Sequence, residues 1–201
     1  MNRKIIKSTP FGSVNIIWST PLGSPKILRV ILSKPDHPAE NQTRRFYPNS
    51  RVASCSEIDR IASSIKAFLE GENIVIPLDV ANLDLCSSFQ QSVLRAECGI
   101  PRGYVSTYQL LAKYLGKRNG ARAVGNALAN NPFPIIVPCH RAIRSDLHLG
   151  GYQGGLEMKR ALLAKEGIGF DAAGRVTCSG LYYGKTVKPC GVKSPRFTDR
   201  A

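Results

Sequence analysis

Cys139 stands in Pro138-Cys139-His140-Arg141, the one place in this sequence where a soft nucleophile is followed directly by a histidine and an arginine. A thiol attacks only as its thiolate, so it needs a neighbouring base or a positive field. His140 offers the first and Arg141 the second. Adjacent side chains on a regular strand point to opposite faces. Cys139 and His140 can therefore cooperate only if the chain turns between them. Upstream, Pro132 and Pro134 with Phe133, Ile135, Ile136 and Val137 predict an extended, buried run that leads to Cys139.

The other cysteines offer less. The chain has six, at 55, 86, 98, 139, 178 and 190. None forms Cys-x-x-Cys, and none stands at zinc-finger spacing from His37, His140 or His148, so neither a metal nor a cofactor is expected. In a reducing interior they read as small apolar residues. Cys178 and Cys190 flank a Gly- and Lys-rich stretch, and they either stay thiols or bridge in an oxidising interior.

The elements that must position Cys139 fall into two halves and a tail. Residues 1–85 read as a mixed α/β domain. Val14 to Trp18 and Ile27 to Leu32 are short strands around the turn chemistry of Thr20-Pro21-Leu22-Gly23-Ser24-Pro25, which predicts a hairpin or meander. Residues 34–54, with Pro35, Pro38 and Pro48, predict a surface loop. Ser56 is placed to cap a helix carrying Ile58, Ile61, Ile65, Phe68 and Leu69 up to Gly71, and Ile74 to Leu78 reads as extended.

Residues 86–169 turn helical. Ser88 is placed to cap a helix with Phe89, Val93 and Ala96, stopped by Gly99 and Pro101. Ser106 with Gln109 is a capping-box signature for a helix from Thr107 to Leu115. Asn119 is placed to cap another through Ala121, Val124 and Leu128. Two short helices joined by Gly116-Lys117-Arg118-Asn119 predict a helix-turn-helix. The outer face of the later helix is nearly all small, with Arg122 its one long side chain. Major-groove reading takes long polar side chains. A small-residue helix suits either close backbone approach to DNA or plain helix packing. Residues 170–201 read as a basic tail without periodicity, with five Lys or Arg after position 184.

Charge narrows the partner. Lys and Arg number 28 against 14 acidic residues, a net charge of +14 with a pI near 9.8, which favours a polyanion: nucleic acid first, acidic lipid second. No stretch approaches the ~20 apolar residues of a membrane helix. Ile5 and Ile6, followed by Lys7, are too short a run for a signal peptide, so an intracellular location, cytoplasmic or nuclear, is expected.

Pro138-Cys139-His140-Arg141, then Leu149-Gly150-Gly151-Tyr152-Gln153-Gly154-Gly155-Leu156, then Lys159 and Leu162 to Gly167, closely resembles the O6-alkylguanine-DNA alkyltransferase family. Phe89, Val93, Ile100-Pro101-x-Gly103, Thr107-Tyr108, Ala121 to Gly125 and Asn131-Pro132 extend the match over residues 86–168. The resemblance implies an α/β (α+β) chain: a ribonuclease-H-like N-terminal domain, then a mostly helical, winged-helix-like catalytic domain with the helix-turn-helix. It implies a monomer that moves an alkyl group from O6-alkylguanine, and from O4-alkylthymine, in double-stranded DNA to Cys139, once and irreversibly.

Site roles follow from the same resemblance. Cys139 matches the acceptor, His140 the base acting through a bound water, and Glu166 the carboxylate that orients it. Asn131 matches the brace of the active-site turn. Tyr108 matches the tyrosine that crowds the target phosphate and donates to the flipped guanine. Arg122 matches the arginine that fills the gap in the stack. Tyr152, with the backbone of Ala142 and Gln153, matches the base pocket, and Gln109, Lys117 and Ser145 match DNA-contacting positions. Arg144 and Leu147 depart from the family's small residues in the loop over the site, and Ala142 is smaller than the usual Val.

Three rivals use other chemistry. A non-repairing relative would lack the cysteine, which is present. A regulator fusion would carry an added cysteine-rich zinc domain, which is not found. A cysteine protease would want a distant histidine and an Asn or Asp to orient it, and the basic charge does not favour it.

Overall fold

The computed structural model describes residues 1–178 and 180–184. Its N-terminal sheet is organised by β2 (Val14–Ser19), an apolar run buried along both faces. β2 pairs antiparallel with β3 (Lys26–Leu32) and with β1 (Asn2–Ile6), and β4 (Arg51–Val52) adds to β1 in parallel, giving the order β3-β2-β1-β4. One face of β2, with Val14, Ile16 and Trp18, shares a core with Ile58, Ile65 and Leu69 of α2 (Ser56–Glu70). Its other face carries Ile17 and the buried Asn15. That face is covered by α1 (Ala39–Phe46): Ala39 packs on Ile17, and Asn15 Nδ2 donates to Thr43 Oγ1 at 2.7 Å. The expected loop over 34–54 is thus a helix and a strand. Its signal was weak because α1 buries only Ala39 and Thr43, neither of them a large apolar residue.

The helix caps differ in detail from those expected. α2 is preceded by Cys55 and has no side-chain cap, and it ends at Gly71 in the left-handed conformation, φ 108°. Ile74 to Leu78 enters no named strand and runs into a single 3-10 turn, Leu78–Val80. α3 (Ser88–Cys98) is capped by Ser87 rather than Ser88. α4 (Tyr108–Tyr114) is capped by Thr107, whose Oγ1 accepts from the Leu110 amide at 3.1 Å. Ser106 is committed elsewhere, donating to the Tyr182 carbonyl at 2.7 Å. α5 (Ala121–Ala129) begins after Gly120 with no side-chain cap, so Asn119 is not its cap.

The C-terminal half packs α3, α4 and α5 on one another. The short strands β5 (Ser106–Thr107) and β6 (Ala142–Ile143) pair in parallel, and α6 (Leu156–Lys165) closes the half. The halves are stitched where the Val30 amide of edge strand β3 donates to the Pro132 carbonyl at 2.8 Å. Residues 170–178 and 180–184, expected in the tail, are folded. β7 (Gly169–Phe170) and β8 (Val176–Thr177) form a hairpin. Tyr183 then donates to the Ala96 carbonyl at 2.8 Å and stacks on Tyr114 at 4.1 Å between centroids. The later basic residues and Cys190 lie outside the described residues, and with them any Cys178–Cys190 bridge. Among the described residues no helix is long and apolar enough to cross a membrane.

Among the described residues two charged side chains are fully buried, Glu97 on α3 and Lys159 on α6. Lys159 Nζ donates to the carbonyls of Ala142 (2.6 Å), Leu149 (2.5 Å) and Gly151 (3.4 Å). Neither carboxylate oxygen of Glu97 has a normal hydrogen-bond partner among the described residues. Burial pushes the Glu97 carboxyl up to about 8, against the pull of Lys159, Arg141 and the Ala142 amide. Between its ordinary value of 4.5 and about 8 the folded protein keeps a proton that the unfolded chain has lost. Stability therefore falls as pH rises through that window, by at most about 1.4 kcal/mol per pH unit. Burial lowers Lys159 to about 8, so its own window lies above this one. In urea unfolding, Glu97→Gln should gain on wild type between pH 5 and pH 8. An equal difference at both pH values would show that Glu97 carries no such proton.

Candidate active site

Every residue from Asn131 to Ile143 is buried, so the approach to Cys139 is core. The extended path expected from its prolines does not form, because the segment turns back on itself. The Val137 amide donates to the Phe133 carbonyl at 2.8 Å, and Ile135 sits at φ 75°. A β-branched residue in the left-handed region is strained, at a cost on the order of 1–3 kcal/mol, and persists only where its surroundings dictate it. Asn131 is one such determinant: its Oδ1 accepts from the Phe133 amide at 2.9 Å.

Pro138 then starts a single 3-10 turn, Cys139–Arg141. With about three residues per turn, successive side chains fan out around the axis rather than alternate. Cys139 faces the cavity, while His140 and Arg141 both reach Glu166 at the end of α6. His140 Nε2 lies 2.9 Å from Glu166 Oε1. Arg141 donates to the same carboxylate through Nε, 2.9 Å to Oε2, and through its terminal guanidinium, 2.7 Å to Oε1. A further Arg141 nitrogen donates to the Ile100 carbonyl at 2.6 Å.

The electrostatics fix the tautomer. Burial opposes the Glu166 charge, but His140 and Arg141 outweigh it and hold the carboxyl far below its usual range. An ionised carboxylate only accepts, so His140 Nε2 carries the proton and Nδ1 carries the lone pair. Burial also lowers the His140 pKa, which keeps the ring neutral, and Nδ1 is buried without a partner among the described residues. Burial pushes the Cys139 thiol up to about 12. The Asn131 side chain favours the thiolate from the other side, although its Nδ2 reaches no acceptor at normal hydrogen-bond distance. The thiol therefore rests protonated beside a neutral base.

Cys139 opens onto a cavity of about 590 Å³ that is also lined by Tyr108, Gly125, Arg144, Tyr152 and Gln153. Tyr152 meets His140 edge-on at 6.3 Å between ring centroids and forms part of the wall of the same cavity. Gln153 Nε2 ties down the carbonyls of Ala129 (3.0 Å) and Asn131 (2.6 Å). Asn131, His140, Glu166 and Ala142 thus lie in the protein behind Cys139, while Tyr108, Tyr152 and Gln153 line the space before it. Arg122, Lys117 and Ser145 are exposed and do not line the cavity. Gln109 closes the α4–α5 turn by donating to the Arg118 carbonyl at 2.6 Å.

Sequence reading passed over the work of Arg141 and Lys159. On sequence alone Arg141 is a cation beside the thiol, whereas in the structure it holds Glu166. Lys159 is buried among Met158, Leu162 and Leu163, and a lysine inside an apolar helical stripe was the available signal. Its three carbonyl bonds gather the loop 142–151 around the cavity, with Nζ 5.9 Å from the Tyr108 ring centre. The departures in that loop now have geometry. Leu147 stands at φ 66°, a conformation suited to glycine, and Arg144 lines the cavity while paired with Asp146 at 2.9 Å.

Residues 88–168 match the family model for the 6-O-methylguanine DNA methyltransferase DNA-binding domain. A methylated-DNA–protein-cysteine methyltransferase of Methanothermobacter thermautotrophicus is 40% identical over 114 residues, covering 57% of this chain but only 64% of that relative, less than two thirds of its length. The inducible enzyme of the same name from Bacillus subtilis is 36% identical over 137 residues, 67% of this chain and 74% of the relative. The crystal structure of Mycobacterium tuberculosis OGT in complex with DNA is 28% identical, with a TM-score of 0.65 over 83% of this chain and 92% of that one. By its cysteine turn, its fold and these relatives, the chain belongs to the methylated-DNA–protein-cysteine methyltransferase family.

Proposed function

We propose that this protein repairs DNA by direct damage reversal, moving the alkyl group of O6-alkylguanine, and of O4-alkylthymine, in duplex DNA onto Cys139. One observation carries this reading. A buried thiol, backed by a histidine whose tautomer is set by a locked carboxylate, opens onto a base-sized cavity of about 590 Å³ beside a helix of small residues.

The chemistry is a displacement at carbon. Cys139 Sγ attacks the alkyl carbon, the S–C bond forms, and the C–O6 bond breaks with its electron pair leaving on guanine, which takes up a proton. The thioether product has no easy return path, so each molecule acts once. The O6 of a stacked guanine is out of line for this attack, so the base must leave the helix. His140 Nδ1 removes the thiol proton through a bridging water as transfer begins, since the resting thiol is neutral. Burial raises the Tyr108 hydroxyl to about 12, so it keeps its proton to donate to the departing base. Asn131 braces the turn. Tyr152 and the backbone of Ala142 and Gln153 hold the extruded base.

In this reading α4 and α5 form the helix-turn-helix of a winged-helix-like domain over residues 86–169, and residues 1–85 form a ribonuclease-H-like domain. Gln109, Lys117 and Ser145 meet the DNA backbone, Arg122 fills the gap in the stack, and the protein acts as a monomer. Arg122 is exposed on α5 without a carboxylate partner among the described residues, and its neighbours Ala121, Ala123 and Gly125 let DNA approach closely.

Intact-protein mass after incubation with duplex DNA containing O6-methylguanine tests the reading. Wild type should gain one methyl group. Cys139→Ala should gain none while keeping its affinity for the duplex, and a methyl group mapped to Cys98 in that variant would defeat the assignment. Glu166→Gln should slow single-turnover transfer roughly 100-fold, because the His140 tautomer is no longer imposed. An unchanged rate would make Glu166 purely structural. Arg122→Ala should lower the transfer rate at saturating duplex about tenfold, since extrusion costs a few kcal/mol. Reaction with free O6-alkylguanine should stay near wild type, and a wild-type rate on duplex would leave Arg122 a backbone contact.

A further inference from the structure

We propose that the groove between β3 and α1 is a second DNA-binding surface, which takes the sugar-phosphate backbone flanking the nucleotide held at Cys139. This rests on the DNA-repair reading above and extends it to the N-terminal half, which that reading leaves without a role.

The groove has a volume of about 470 Å³, and Arg29, Lys34, Phe46, Tyr47 and Gln153 are among its walls. Lys34 and Gln153 also line the Cys139 cavity, so the two form one continuous surface. A strand whose base enters the cavity is thereby brought to the mouth of the groove.

The chemistry of the groove suits a polyanion with flat bases. Arg29 and Lys34 in its wall, and Arg45 beside Phe46, have no carboxylate within salt-bridge distance among the described residues, whereas Arg141, Arg144 and Arg175 are each paired. Phe46 is 64% exposed, which is costly for a large apolar side chain, and the Arg45 guanidinium lies 5.4 Å from its ring centre. Unpaired cations beside an exposed aromatic ring make up the stacking and phosphate surface used on nucleic acid strands. The competing occupant is a protein strand adding to the β3 edge. That edge is already engaged, because the Val30 amide is bonded to the Pro132 carbonyl and the Ile27 carbonyl accepts from the Asn82 amide. Gln42 further occupies the Leu32 carbonyl at 3.0 Å. Free ladder groups are few and free charges are several, which favours DNA.

The test compares wild type with the double variant Arg29→Ala/Arg45→Ala and with Phe46→Ala, none of which touches the Cys139 cavity. For duplex DNA extending a full turn on both sides of the lesion, the double variant should lose affinity about tenfold, and its log–log salt slope should fall by about two units. Phe46→Ala should weaken binding with little change in slope. Reaction with free O6-alkylguanine should stay at the wild-type rate for both. Unchanged affinity and slope in the double variant, with wild type binding and repairing the duplex, would overturn the groove alone. Wild type that neither binds nor repairs the duplex would overturn the DNA reading itself. A concentration-dependent dimer in sedimentation that the variants abolish would assign the groove to a second copy of the chain and overturn the proposal.

Discussion

The site depends on one buried carboxylate. Glu166 accepts from His140 and, through two nitrogens, from Arg141, and both partners come from the turn that also presents Cys139. A buried ionised group persists only when paired and hydrogen-bonded. The pairing is also the chemistry: an acceptor-only carboxylate on Nε2 leaves Nδ1 as the basic atom of the ring. Removing the charge would release the imidazole tautomer and the guanidinium together, because among the described residues the Arg141 guanidinium is anchored otherwise only at the Ile100 carbonyl.

Around that carboxylate the protein accepts local costs to hold a geometry. Ile135 is held at positive φ, Leu147 occupies a conformation suited to glycine, and Glu97 lies in the core without a normal hydrogen-bond partner among the described residues. Each borders the Cys139 turn or the loop over its cavity. Lys159 is the counterweight, with three carbonyls of one loop converging on a single ammonium. Strain and buried charge concentrated here are what a pre-organised site requires, since its groups must stand in place before substrate arrives.

The N-terminal half is built on different physics, a double-faced strand covered by helices on both sides. It meets the site through the Val30–Pro132 bond and through Lys34 and Gln153, which face both cavities. Within the segment expected to trail from the fold, Tyr182 and Tyr183 instead pack against Tyr104 and Tyr114. Two isolated tyrosines in a Gly- and Lys-rich stretch carry no periodicity, so nothing local marked them as packing residues.

Local chemistry was legible wherever it is self-contained. The β2–β3 hairpin was readable from its turn residues, α2 and α3 from their 3.6-residue spacing, and the candidate nucleophile could be singled out from Cys139-His140-Arg141 within a run of further motifs. The caps of α3 and α4 were legible to within a residue, since Ser87 with Ser88, or Ser106 with Thr107, compete for one role that only the final backbone path assigns, whereas the caps expected at Ser56 and Asn119 do not form. α1 was hidden because its buried face is Ala39 and Thr43, and its partner is a polar Asn15 on another element. The convergence on Glu166 was likewise beyond sequence. Arg141 and Glu166 are 25 residues apart, and whether a guanidinium faces solvent or a buried carboxylate depends on the crossing of α6 with the cysteine turn. The sequence by itself determined which groups could react and which segments could be helix or strand. Only the tertiary structure decided which nitrogen of His140 is basic, which lysine is buried, and that the path to Cys139 is a strained turn rather than a strand, because burial and long-range hydrogen bonds set protonation and backbone strain, and neither is a local property of the chain.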